Sequence, residues 1–157
     1  MLLATFVALW LAGCGDAQEE TIDLDDNETR NRIIAEAIHD NKLKLKDSGW
    51  KCYAPNKQTP YTGWSKNMYD NGQIAMLIQW KDGRKNGLWT MWYSNGRKRY
   101  DQNYKKGKLM TTVGWLPNGE KCPKTNVKNG NGVRVFYLPD GSEGWRKTFK
   151  DGEEVSD

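Results

Sequence analysis

Two interleaved series of turn glycines constrain this chain more than any other feature. Gly72, Gly96, Gly119 and Gly141 each follow Asn or Asp, at spacings of 24, 23 and 22 residues. Between them, at the same period, run Trp80-Lys81-Asp82-Gly83, Tyr104-Lys105-Lys106-Gly107, Val127-Lys128-Asn129-Gly130 and Phe149-Lys150-Asp151-Gly152. Residues 87–109 are the clearest copy: an aromatic strand, the Asn95-Gly96 turn, a polar strand ending in Tyr104, and a second turn at Lys106-Gly107. Self-similarity at a fixed period marks a repeat architecture. Asn-Gly and Asp-Gly between strand-forming runs mark hairpins.

Turns recur every 11 to 13 residues, which leaves strands of roughly seven to nine residues and no room for crossover helices. The fold expected is therefore mainly β: a single-layer antiparallel meander of repeated β-hairpins with one short N-terminal α-helix. Taking Asn71-Gly72 as a two-residue loop pairs Tyr69 with Ile74, Asn67 with Met76 and Ser65 with Ile78, and sets Ile74, Met76, Ile78 and Trp80 on one face. The third unit departs most from the pattern, because Pro123 interrupts its second strand and predicts a bend or looser pairing. With 37% apolar residues but eight Trp, seven Tyr and sixteen Gly, stability is expected from aromatic cross-strand packing rather than from a large aliphatic core.

Residues 28–46 carry the one helical periodicity, with Ile33, Ile34, Ala37, Ile38 and Leu43 on one face and Asn27 as N-cap. That face is expected to lie on the first strands and cover a sheet edge. His39, the one His, falls on this segment and reads as a solvated surface residue.

Charge divides unevenly. Residues 15–28 hold seven carboxylates and no Lys or Arg, so residues 29–157 carry all 24 basic residues against 13 of the 20 acidic ones. Such a basic domain points to an anionic partner, to the acidic segment folding back, or simply to solubility of an aromatic sheet.

The pattern Gly87-x-Trp89-x-x-Trp92-Tyr93-x-Asn95-Gly96, followed by Tyr104-Lys-x-Gly107-Lys108, resembles the bacterial variant of the membrane occupation and recognition nexus (MORN) repeat. The resemblance extends with decay from about Tyr61 to Gly152. It implies a β-hairpin array that contacts proteins or lipids and brings no catalytic residues; an antitoxin-like label attaches to some members. The first residues, MLLATFVALWLA followed by Gly13-Cys14, resemble the signal peptide and lipobox of bacterial lipoproteins. That resemblance implies diacylglycerylation of Cys14 and a lipid-anchored protein of the cell envelope facing the periplasm or surface. With Gly15 after the Cys, it implies the outer membrane rather than the inner. The expected organisation is a signal peptide at 1–13, an acidic tether at 14–27, the helix at 28–46 and repeats at 47–157.

Catalytic and metal chemistry find no footing in the pattern. One His and three widely spaced Cys make no ligand cluster, His39 has no nucleophile elbow beside it, and Asp70, Asp82, Asp140 and Asp151 sit where turns favour Asp. No enzyme, cofactor or metal is expected. Cys52 and Cys122 are predicted to remain free or to bridge to another molecule, because a flat meander separates them by six strand steps, on the order of 29 Å.

A lipid-anchored, non-enzymatic binding scaffold is thus the expected function, its partner another protein or anionic lipid. The candidate patch is Arg97, Lys98, Arg99, Lys105, Lys106 and Lys108 flanked by Trp89, Trp92, Tyr93 and Tyr104. Two alternatives are a glycan-binding module stacking sugars on Trp64, Trp80, Trp92 and Trp115, and a toxin-neutralising partner. No nucleic acid is expected for an exported chain.

Overall fold

The computed structural model describes residues 22–46 and 51–155. The apolar leader, Cys14, the tether up to residue 21 and residues 47–50 at the start of the expected repeats lie outside the described residues. The fold is mainly β, with one α-helix among the described residues and antiparallel hairpins.

Helix α1 (Asn27–Glu36) starts one residue earlier than expected. Its cap is Asp26, whose carboxylate accepts from the Thr29 N–H at 2.7 Å. It also ends ten residues early. Beyond Ala37 the chain runs as β1 (Ile38–His39), a single 3-10 turn over Asp40–Lys42, and β2 (Lys44–Lys46). His39 is therefore on a strand and not on the helix, paired in parallel with Lys66. The alternating Lys-Leu-Lys of β2 suits extended backbone, and β2 pairs antiparallel with β3 (Lys51–Tyr53).

The repeats supply β4 (Gly63–Met68), β5 (Ile74–Lys81), β6 (Arg84–Trp92), β7 (Lys98–Lys105) and β8 (Lys108–Gly114). With β1 they form a six-stranded sheet in the order β1-β4-β5-β6-β7-β8. Strands β9 (Gly132–Tyr137), β10 (Glu143–Lys150) and β11 (Glu153–Val155) form a second sheet. The break falls at the third unit, where Pro123 was expected to disrupt pairing. Residues 121–131 bridge the two sheets irregularly: the Cys122 N–H donates to Gly114 O, Thr112 N–H to Val127 O and Asn126 N–H to Val133 O.

The two glycine series make different turns. Asp82-Gly83, Lys106-Gly107, Asn129-Gly130 and Asp151-Gly152 have positive φ at both residues, the requirement of a two-residue type I′ turn. At Asn71-Gly72 only the glycine is left-handed. Tyr69 N–H donates to Gln73 O and Gly72 N–H to Tyr69 O, so the loop is longer than two residues. Ser65 opposes Ile78 and Asn67 opposes Met76 as expected, but Met68 rather than Tyr69 opposes Ile74, with a bulge beside it.

Both faces of the first hairpins are buried. One packs Ile78, Trp80, Met76 and Trp89 with Cys52, Leu43 and Tyr61. The other carries Leu77, fully buried under Leu24, Ile33 and Ala37 together with Trp92. The simple in-out alternation expected of β5 misses Leu77, because α1 roofs that face, and it misplaces Ile74, which beyond the bulge packs in the Leu77 cluster rather than with Met76, Ile78 and Trp80. Leu24 and Asp25, expected in a solvated tether, dock as well: Asp25 pairs with Lys98 at 2.9 Å. The acidic segment thus folds back on the basic domain at its described end.

Candidate functional site: a cationic turn end and an adjoining cleft

The structure disperses the sequence-predicted patch. Lys98 and Lys105 stand at opposite ends of the eight-residue β7, roughly 23 Å apart. Trp92 is buried in the helix-roofed cluster, and the buried Tyr93 donates its hydroxyl to Trp115 O at 2.9 Å. Arg99 is only 8% exposed; its guanidinium lies 3.7 Å from the Phe136 ring centroid and donates to Tyr137 O. Lys98 bridges Asp25 and Asp101, and Arg97 donates to Pro117 O at 3.1 Å. Each of these three basic residues is thus engaged within the fold. Tyr104 is buried, Trp89 is half-buried, and Lys105, Lys106 and Lys108 are exposed at the opposite end of the sheet.

That opposite end is built by the type I′ turns. Each repeat places a lysine just before the turn, Lys81, Lys105, Lys128 and Lys150, and all four are exposed. Lys81 and Lys105, on β5 and β7 of one sheet, stand two strands apart, roughly 10 Å in a regular sheet. The residues closing the first two turns are like-charged: Lys81 faces Arg84 and Lys105 faces Lys108. Lys106 sits in the second turn itself. Like charges directly opposed across strands destabilise a sheet. Glu153 relieves Lys108 at 3.1 Å, but that pair is well exposed on both sides and adds little.

Below this end lies a cleft of about 790 Å³. Its apolar lining includes Met76, Ile78, Trp80 and Trp89, and its charged residues are Asp40, Arg84, Lys85, Lys106, Lys108 and Glu153. Lys85, the second residue of β6, directs its ammonium over Trp89 at 3.7 Å and Tyr104 at 5.4 Å from the ring centroids. Burial, then the field of Arg134, lowers its pKa to about 8, against smaller opposing effects of Asp40 and Cys52. Cys52 also lines the cleft; it is buried and free, as is Cys122. Burial and the charge of Asp40 push the Cys52 thiol up, which keeps it protonated and unreactive.

Sequence reasoning singled out the lysine-containing turns but not Lys85 or the cleft. The lysine row was visible as the repeated Lys before each turn. Nothing marked Lys85, because the groups around it come from β3, β7, β9 and the 3-10 turn as well as from its own strand. Among the described residues no cluster of His, Cys, Asp and Glu could hold a metal ion. The aromatics proposed for sugar stacking are partly committed elsewhere: Trp80 and Trp92 are buried, Trp80 donating its indole N–H to Ser65 Oγ. No protein-family model, curated protein or solved structure matches this chain.

Proposed function

We propose that this protein is a lipid-anchored, non-enzymatic component of a bacterial envelope whose cationic turn end engages anionic lipid headgroups. The anchor is Cys14, in its lipobox-like setting. The observation that carries the reading is the pair of like-charged hairpin closures, Lys81–Arg84 and Lys105–Lys108. A row of turns selected for stability alone would alternate signs there. Placed against an anionic surface, the same row changes from a cost to a gain, at about 1 kcal/mol for each basic residue near the headgroups. The repeat fold supports this geometrically, since its recurring turns bring one lysine per unit, although the last closes on an acid, Lys150 facing Glu153.

The test is co-sedimentation of the full chain carrying Cys14→Ser, which removes the anchor, with phospholipid vesicles. At low ionic strength the protein binds vesicles containing anionic phospholipid and not zwitterionic ones, and binding is lost at high salt. Substituting Lys81, Lys105, Lys128 and Lys150 together by Gln abolishes it. Equal binding to both kinds of vesicle, or unchanged binding by the quadruple variant, would reject lipid engagement. Vesicles left unbound while an envelope protein with an acidic face is captured would transfer the same surface to a protein partner.

A further inference from the structure

We propose that the cleft binds a free amphipathic carboxylate, with its apolar body on Met76, Ile78, Trp80 and Trp89 and its headgroup on the Lys85 ammonium. This site goes beyond the headgroup surface, since its floor and its central charge belong to other residues.

Four observations lead to this ligand class. The volume, about 790 Å³, lies within the range of small-molecule pockets, and the lining surface is more apolar than polar, with its charges gathered at the turn end. The charges do not balance: Arg84, Lys85, Lys106 and Lys108 line the cleft against Asp40 and Glu153. Both acids are already engaged, Asp40 accepting from Ser65 Oγ at 3.0 Å and Glu153 pairing with Lys108. Lys85 alone is partly buried with no acceptor among the described residues, held only by the Trp89 and Tyr104 rings. A half-desolvated ammonium without a counter-ion is costly, and a single negative charge on the ligand corrects it.

One ammonium offers a point charge rather than the planar fork that favours a bidentate phosphate. The match is therefore to a singly charged head on an apolar body, which a medium-chain carboxylate provides. Rings on one side of the ammonium leave its remaining donors for the incoming carboxylate.

Several charged groups face Lys85. Arg134 on β9 opposes its charge and Asp40 in the 3-10 turn favours it, while Cys52 on β3, its thiol pushed up by burial, stays neutral in this range. Tyr104 on β7, whose own ionisation burial pushes up, stays neutral in the same range. The free ammonium loses its proton near pH 8, and a bound carboxylate holds that proton in place. Affinity therefore falls as pH rises through 8, by up to tenfold per unit above it.

Decanoate, decanol and decyltrimethylammonium, each below its aggregation threshold and without vesicles, are titrated into the Cys14→Ser chain by calorimetry and tryptophan fluorescence. The expected result is saturable one-to-one binding of decanoate, at least tenfold tighter than decanol at pH 7, with decyltrimethylammonium weakest. Lys85→Met, close in volume and checked for folding by circular dichroism, brings decanoate down to the affinity of decanol and removes the pH dependence. Equal affinity for decanoate and decanol in the native chain would make the cleft merely apolar and overturn the assignment. Preference for the quaternary ammonium would overturn it too, by showing that the Trp89–Tyr104 rings take a cation in place of Lys85. Decanoate binding that survives Lys85→Met unchanged would place the headgroup elsewhere.

Discussion

At the scale of single residues, the two glycine series look alike in sequence but have unequal structural value. Gly72 has φ near +79° with open space where a Cβ would stand, so replacing it costs only the left-handed backbone, about 1–2 kcal/mol. Gly130 has the same φ, but its Cβ would lie 2.6 Å from the Gly152 amide nitrogen. That nitrogen cannot retreat, because it donates to Gly130 O at 2.9 Å and so holds one repeat turn against the next. Gly72→Ala is therefore expected to cost about 1–2 kcal/mol, and Gly130→Ala about 3 kcal/mol or more, once strain and clash add. Urea denaturation of both variants checks the ordering. The period of these glycines was legible from the chain alone. Their division into type I′ turns and longer bulged loops was not. It depends on whether the residue before the glycine also turns left-handed, which Asn and Asp permit without requiring.

At the scale of elements, the same hydrogen bonds recur from one repeat to the next, and they explain much of the sequence motif. Tyr69 donates its hydroxyl to Trp92 O and Tyr93 to Trp115 O; Asn71 donates its amide to Ser94 O and Asn95 to Pro117 O. Each bond spans 22 or 23 residues, one repeat unit, so the partner of a motif residue lies outside the motif. That is why Tyr93 could be read as a binding aromatic from sequence when it is a rung between hairpins. The helix shows a related limit. Its apolar periodicity continues through Ile38 and Leu43, yet the backbone leaves the helix at Ala37 because the β4 edge offers Ile38 and His39 a parallel partner. Tertiary pairing outweighs weak local propensity there. The cationic closures have no counterpart among these rungs. Arg84→Glu turns the Lys81–Arg84 repulsion into an opposite-charge pair, which is expected to stabilise the sheet by about 0.5 kcal/mol. The same change should weaken binding to anionic vesicles. Chemical denaturation and co-sedimentation of that variant measure both effects, and a gain in stability with a loss of binding separates a functional residue from a structural one.

At the scale of the whole molecule, the two sheets are joined where the repeat is weakest. Residues 121–131 make only scattered backbone hydrogen bonds to β8 and β9, so continuity depends on side chains that reach across them. Arg99 and Tyr100, neighbours on β7, do this. Arg99 donates to Tyr137 O while stacking on Phe136, and Tyr100 donates its hydroxyl to Val135 O. Both side chains are almost fully buried, and each donates to a β9 carbonyl, that of Val135 also accepting from Thr125 Oγ1 at 3.5 Å. Arrays whose units touch only their neighbours lose stability locally when one interface is cut. Arg99→Met removes a charged donor worth about 1.5–3 kcal/mol and keeps some of the apolar contact with Phe136. Amide hydrogen exchange should then quicken across β9 and β10, while β5 and β6 under α1 keep their native protection. Tyr100→Phe, which loses only a hydroxyl, should show the same pattern at smaller amplitude, about 1 kcal/mol. Uniform loss of protection in either variant would mean instead that the two sheets open as one cooperative unit, and that the break at Pro123 is a feature of pairing alone.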